Sequence, residues 1–147
     1  MRISDIAMRL YGLPYKWGGS NYLEGFDCSG LVMEVLKSIG VIAHGNDVNS
    51  QGLYNWVTVS GKKDTMGEGA LCFYGKSLKQ ISHVAIMLDD RLMLEAGGGD
   101  SSITNLEIAK KEGAVVRVRP YNYRKDFLEV WMPKYPISVR GGNGQGS

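Results

Sequence analysis

The amino-acid sequence predicts an α+β fold in which helices come first and antiparallel strands follow. Apolar residues recur at helical spacing in segments 3–10 and 28–39, whereas after Gly69 they form short runs separated by turn residues. Helices followed by a series of strands are the order of an α+β domain. We therefore expect N-terminal helices packed on a central antiparallel sheet of about five to six strands.

Two helices are predicted in the first forty residues. The first covers residues 3–10 and ends before Gly12 and Pro14, which disfavour its continuation. The second begins at Cys28, and Gly40 stands where a C-terminal glycine ends a helix. Its apolar positions lie on one stripe of a 3.6-residue period: Leu31, Val32, Val35, Leu36 and Ile39. Residues 44–56 predict a loop followed by a short helix or turn.

Strands are predicted over residues 70–74, 84–88, 92–96, 115–119 and 127–132. Residues 1–136 are expected to form one domain. The glycine-rich residues 137–147 are typical of a flexible tail.

Length and composition fit one compact domain. The chain has 147 residues, of which 44% are hydrophobic, and a net charge of +2 that gives no indication of a nucleic-acid partner. Two cysteines are too few for a disulfide-based scaffold. Asp5 and Arg9 interrupt the N-terminal apolar residues, so we expect neither a signal peptide nor a membrane span.

Cys28 is a candidate nucleophile. It follows Asp27 at the predicted helix start, where unpaired amide hydrogens stabilise a thiolate and can hold an oxyanion. Asp27 is interpreted as the cap of that first turn. The alternative is that Cys28 is a small buried hydrophobic residue, as free cysteines often are.

His83 and Glu95 are candidate partners of the thiol. His83 opens one predicted strand, and Glu95 lies on the return strand. They share a face of the sheet only if the loop around Asp89 and Asp90 has an odd number of residues, so a loop of about three or five is predicted. The alternatives are a histidine satisfied at a strand end and a solvated carboxylate.

Three segments together resemble the NlpC/p60 superfamily of bacterial cell-wall cysteine peptidases. They are Gly12-Leu13-Pro14-Tyr15-Lys16-Trp17-Gly18-Gly19, Gly25-Phe26-Asp27-Cys28-Ser29-Gly30-Leu31-Val32 and Ser82-His83-Val84-Ala85-Ile86. The resemblance implies a papain-like fold in which Cys28 is the nucleophile, His83 the general base and Glu95 the third catalytic residue. That third residue is usually His, Asn or Gln in the family. Residues 94–100 and 116–120 are similar to those of phage and prophage members in which glutamate takes this place.

The resemblance also implies roles around the nucleophile. Tyr15 would contribute its hydroxyl to the oxyanion or the substrate, and Trp17 would form a groove edge. Ser29 would sit beside the nucleophile as a polar substrate contact, and Asp27 belongs to the same set of residues. Tyr15 and Trp17 could equally be packing aromatics. Cys72 is interpreted as strand core. Four cations are candidates for lining the groove, where they would attract carboxylates of the substrate, although most such charges are expected to be solvated surface and none is assigned as a substrate ligand: Lys16, Arg117, Arg119 and Arg124.

The implied reaction is hydrolysis of an amide bond in peptidoglycan stem peptides, from D-γ-glutamate to a diamino acid, through a Cys28 thioester. No metal or cofactor is expected, since the histidines and cysteines lack zinc-site spacing. A monomer is expected, acting on the wall after phage-type or other release, or as a domain of a longer exported protein. Two alternatives stay open: a related thiol amidase or acyltransferase, and a catalytically silent wall-binding or virion structural module.

Overall fold

The computed structural model describes residues 2–15, 20–21, 25–42, 48–97 and 115–136. Its helices are α1 Ile3–Met8, α2 Cys28–Ile39 and α3 Ser50–Ser60. Its strands are β1 Ser20–Asn21, β2 Gly25–Phe26, β3 Lys62–Lys63, β4 Leu71–Gly75, β5 Ile81–Met87, β6 Leu92–Gly97, β7 Val115–Pro120 and β8 Phe127–Met132. None of the helices in these ranges has the length and apolar character needed to cross a membrane.

Six strands form one antiparallel sheet in the order β3-β8-β4-β5-β6-β7. This confirms the predicted α+β class and the strand number. The two-residue strand β3 and the small β1–β2 pair were not predicted. Such short segments carry too few residues for an apolar pattern to reveal them.

Helix α2 begins and ends where the sequence predicts. The Asp27 carboxylate accepts a hydrogen bond of 2.7 Å from the Gly30 amide, which satisfies one N–H of the first turn. Gly40 adopts a left-handed conformation with φ of 89°, which glycine allows without a Cβ clash. The stripe is buried except at Ile39, which is half-buried, and each fully buried Leu or Val contributes about 1.5–3 kcal/mol.

Helix α3 is longer than the short helix or turn predicted for its region. The Asn49 side chain caps it by accepting a 2.9 Å hydrogen bond from the Gly52 amide. The helix has eleven residues, and Leu53 and Val57 are buried on one of its faces. The glycine and polar residues of this segment conceal the helix from periodicity alone.

Both faces of the central sheet are buried. Leu71, Phe73 and Val84 belong to the large cluster that includes the helices, and Tyr74 and Met87 belong to a second cluster on the opposite face. Strand β4 is buried at all five positions. This two-sided burial explains why the central strands appear as nearly continuous apolar runs.

The hairpin between β5 and β6 has the predicted odd loop. Met87 pairs with Met93, which leaves five positions, 88–92, between them. The Leu88 amide donates to the Leu92 carbonyl at 2.8 Å and closes a three-residue loop. The Asp89 side chain stabilises this loop by accepting from the Arg91 and Leu92 amides at 2.8 and 2.7 Å.

Candidate active site

Cys28 occupies the first position of α2, where the Asp27 cap leaves its amide among the first-turn N–H groups that have no partner within the helix. Its sulfur lies 3.4 Å from the Ser50 hydroxyl and 3.9 Å from the Ser82 carbonyl oxygen. The thiol is partly buried and is not in a disulfide. The helix start thus supplies a sulfur and a backbone donor at one point.

His83 lies on β5 and is 6% exposed. Its imidazole interacts electrostatically with the Cys28 thiol, so that His83 lowers the pKa of the thiol and the thiol raises the pKa of His83. The Tyr74 ring packs beside the imidazole, with centroids 5.4 Å apart and planes tilted by 55°. Because Tyr74 is itself fully buried, the imidazole has a rigid wall.

Glu95 is fully buried, and its Oε1 atom lies 2.6 Å from Nε2 of His83. The odd loop places the two side chains on one face of the sheet, as predicted. Among the described residues, the β5–β6 ladder pairs only Ile86 with Leu94 and Met87 with Met93, so His83 lies beyond its end. Since Glu95 occupies Nε2, Nδ1 is the ring nitrogen left for the thiol.

The second Glu95 oxygen has partners of its own. Oε2 accepts hydrogen bonds from Arg117 Nε at 3.0 Å and from the Tyr123 hydroxyl at 2.7 Å. Arg117 lies directly opposite Glu95 on β7, and no partner within the protein was predicted for it from the sequence. The structure instead places its guanidinium on a buried carboxylate.

Electrostatics favour the ionised forms of all three groups. Burial alone would raise the pKa of the Cys28 thiol, but hydrogen bonding and charge from His83, assisted by Ser50, lower it below its usual range. Burial opposes protonation of His83, yet Cys28 and Glu95 raise its pKa. Burial likewise opposes ionisation of Glu95, but His83, Tyr123 and Arg117 hold its pKa at about 2.

Ser50 is a site residue that sequence reasoning missed. It is 5% exposed and begins α3, so its hydroxyl reaches Cys28 from a second helix start. The available signal was Asn49 as a helix cap, which would have placed Ser50 at a helix N-terminus. Its contact with the sulfur depends on how α3 packs and has no local signature.

Three further predicted residues lie near the nucleophile in the sequence. Asp27 is the predicted cap, and the Ser29 hydroxyl lies 3.5 Å from its carboxylate. Tyr15 is 5% exposed and packs in the main core cluster, beside the bridge from Pro14 to β7. The substrate and oxyanion roles of these residues stay predictions. Trp17 lies outside the described residues.

Cys72 is fully buried in β4, and burial raises its pKa to about 12. It is strand core, as predicted. Within the described ranges, no group of three His, Cys, Asp or Glu side chains could hold a metal ion. The chemistry that the site itself supports is nucleophilic attack by a thiolate paired with an imidazolium.

Comparison with curated proteins gives partial matches to longer chains. The chain is 32% identical over 103 residues to the bifunctional muramidase/DL-endopeptidase CwlT of Bacillus subtilis, covering 69% of this chain and 30% of CwlT. It is 35% identical over 105 residues to the peptidoglycan endopeptidase RipA of Mycolicibacterium smegmatis, covering 61% of this chain and 19% of RipA. The chain therefore spans less than half the length of either relative.

Solved structures match over nearly the whole chain. The peptidoglycan hydrolase RipB of Mycobacterium tuberculosis aligns with a TM-score of 0.62 at 25% identity, over 91% of this chain and 65% of RipB. The P60 domain of an antigen from M. avium subspecies paratuberculosis aligns with a TM-score of 0.64 at 25% identity, over 91% of this chain and 93% of that domain. Both share the helices-on-sheet architecture described above.

A model of the NlpC/P60 family matches residues 12–120, which include Cys28, His83 and Glu95. The match covers well over half of the 147 residues. This chain therefore belongs to the NlpC/P60 family.

Proposed function

We propose that this chain is a cysteine endopeptidase that hydrolyses an amide bond in the stem peptides of bacterial peptidoglycan. The observation that carries the proposal is the convergence of a thiol, an imidazole and a buried carboxylate from three separate elements, α2, β5 and β6. CwlT, named as a muramidase and DL-endopeptidase, and RipA, named as a peptidoglycan endopeptidase, support the substrate class.

In the proposed mechanism the Cys28 thiolate attacks the amide carbonyl carbon. The oxyanion that forms accepts a hydrogen bond from the Cys28 amide, and the Tyr15 hydroxyl is proposed as a second donor. The His83 imidazolium gives its proton to the departing nitrogen, so the C–N bond breaks and a thioester and a free amine form.

Water completes the cycle. Neutral His83 takes a proton from the attacking water, the C–S bond breaks, and the thiolate and imidazolium are restored with release of a carboxylate product. One water molecule is consumed for each amide bond. Glu95 stays ionised throughout, since its pKa of about 2 lies far below that of the imidazole.

The proposed bond joins D-γ-glutamate to a diamino acid, and the description of CwlT as a DL-endopeptidase is consistent with this choice. Ser29 and Trp17 are proposed to contact the stem peptide. A phage lysis or tail-associated role stays a prediction from the sequence, because the relatives reported above are bacterial.

The test is digestion of purified muropeptides followed by mass spectrometry of the products. Two sets that differ in their diamino acid are incubated with the wild type, with Cys28→Ala and with Cys72→Ala. The wild type and Cys72→Ala should give two fragments whose masses sum to the substrate plus one water, whereas Cys28→Ala should give none.

Three outcomes would contradict the proposal. Cleavage by folded Cys28→Ala would remove the nucleophile assignment. A product in which the acyl group has moved to another amine would indicate an acyltransferase. Failure of folded wild type to cleave either set, while it still binds them, would indicate a silent binding module.

A further inference from the structure

The carboxylate behind His83 is held at both of its oxygens. Oε1 of Glu95 contacts His83, and Oε2 accepts from Arg117 Nε and the Tyr123 hydroxyl. Arg117 Nη2 also donates to the Tyr123 oxygen at 2.9 Å, which closes a triangle around Oε2. The Glu95 side chain therefore has little freedom to rotate away from the imidazole.

The backbone is built to admit this arrangement. Glu95 and Arg117 are paired directly across β6 and β7, and Gly97 pairs with Val115 two positions further along. A Cβ atom on Gly97 would lie 2.8 Å from both Nε and Nη2 of Arg117. Because Gly97 has no side chain, the space beside it is open to the Arg117 guanidinium, which can reach Oε2 of Glu95.

Glu95 has two cationic partners, the His83 imidazolium and the Arg117 guanidinium, and the charge balance of the site gives a reason for the second. If the imidazolium were the only cation beside the buried carboxylate, the full negative charge would stabilise the imidazolium and raise the pKa of His83 strongly. General acid catalysis requires an imidazolium that gives its proton up to the leaving amine. A second cation on the far oxygen moderates the hold of the carboxylate on the imidazole.

We propose that Arg117, assisted by Tyr123, is a positioning residue that aims Glu95 at His83 and offsets its charge. This deepens the proposed function, since it assigns a second support to the same Cys28–His83 pair. It also accounts for a glutamate at this place: here the carboxylate is matched by an arginine on the neighbouring strand.

Other titratable groups also surround the pair. In the part of the chain that the structure describes, those facing it besides Arg117 and Tyr123 are Cys28 from α2, Tyr74 from β4, and Arg124 and Asp126 from the turn before β8. Arg124 and Asp126 form their own two-bond ion pair at 2.9 and 2.8 Å. Their charges largely cancel, so Arg117 is the cation assigned to Glu95.

The test is the pH at which the His83 ring loses its proton, followed by NMR in the folded protein. In Arg117→Gln the Tyr123 hydroxyl still holds Oε2 of Glu95, so the main change is the loss of a nearby cation, which should move this midpoint upward by roughly half a pH unit or more. Arg117→Lys keeps the charge and should restore a midpoint near that of the wild type. Tyr123→Phe removes a hydrogen bond from Oε2 and should give a smaller upward shift.

Arg119→Gln is the matched control, since it removes one exposed positive charge from the same strand. An unchanged midpoint in Arg117→Gln, or an equal shift in Arg119→Gln, would overturn the proposal. If Arg117→Gln does not fold, Tyr123→Phe provides the test, and the absence of an upward shift of the His83 midpoint in that variant would also overturn the proposal. The NMR readout needs no peptidoglycan, so a protein that shows these shifts without cleaving muropeptides would refute only the proposed function.

Discussion

The hydroxyl of Ser50 lies 3.4 Å from the sulfur of Cys28, although the two residues begin different helices. Two helix N-termini, one capped by Asp27 and the other by Asn49, are thereby brought to the same thiol. The hydroxyl is the group on α3 that assists His83 in lowering the pKa of Cys28.

Ser50→Ala should raise the pKa of Cys28, because it removes a hydrogen bond that stabilises the thiolate. We expect the alkylation rate of Cys28 by iodoacetamide at neutral pH to fall by about two- to tenfold, with the rate profile displaced to higher pH. Ser60→Ala, at the exposed end of the same helix, is the control and should behave as wild type. Equal rates for both variants would show that the contact is energetically silent.

Glu95→Gln should impair the site more than loss of a charge alone. The carboxylate accepts hydrogen bonds at both oxygens, whereas an amide offers one oxygen and turns a donor toward either His83 or Arg117. The pKa of His83 should fall because its anionic partner is gone. We expect kcat/KM on muropeptides to drop by about ten- to a hundredfold, with the alkaline limb at lower pH. Activity equal to wild type across the profile would contradict this.

Lowering the pH should remove the contribution of ionised Glu95 to the free energy of unfolding. The folded-state pKa of Glu95 is about 2 against an ordinary value of 4.5, so its contribution is present above pH 4.5 and is lost as the pH falls toward 2. The shift corresponds to roughly 3 kcal/mol. Urea unfolding of wild type and Glu95→Gln should therefore show a difference in free energy that shrinks over this range. Below pH 5 His83 is protonated in both folded and unfolded chains, so it adds no slope there; a constant difference would refute the assignment.

Gly97→Ala should act through Arg117. The added methyl group would stand 2.8 Å from the guanidinium nitrogens and displace them from Glu95. We expect an upward shift of the His83 midpoint in the same direction as in Arg117→Gln. In the double variant Gly97→Ala/Arg117→Gln the two shifts should not add, since both remove one contact. Additive shifts would mean that Gly97 acts by another route.

Local signals predicted the nucleophile's surroundings well. Asp27 and Gly40 mark the two ends of α2, so Cys28 could be placed at a helix start from neighbouring residues alone. The pairing of His83 with Glu95 also followed from short-range information, because the parity of one hairpin loop decides it.

Short-range sequence signals did not predict the residues that support the catalytic groups. Ser50 meets Cys28 only through the packing of α3 on the sheet, and α3 itself was underestimated because of its glycine and polar residues. Arg117 reaches Glu95 through the β6–β7 register, which no short turn fixes in the sequence. Both contacts depend on pairings between distant segments, which periodicity and capping rules do not specify.

In the proposed mechanism, the engagement of Nε2 of His83 by Glu95 restricts the order of events during turnover. A single ring nitrogen, Nδ1, is left both to protonate the departing amine and to accept the proton of the attacking water. The amine must therefore vacate its place before water can be activated, which predicts ping-pong kinetics. A small added amine would compete with water for attack on the thioester, because both would give their proton to Nδ1. The access of amines to the region beside Nδ1 would therefore determine whether the acyl group is released as an acid or transferred to form a new amide.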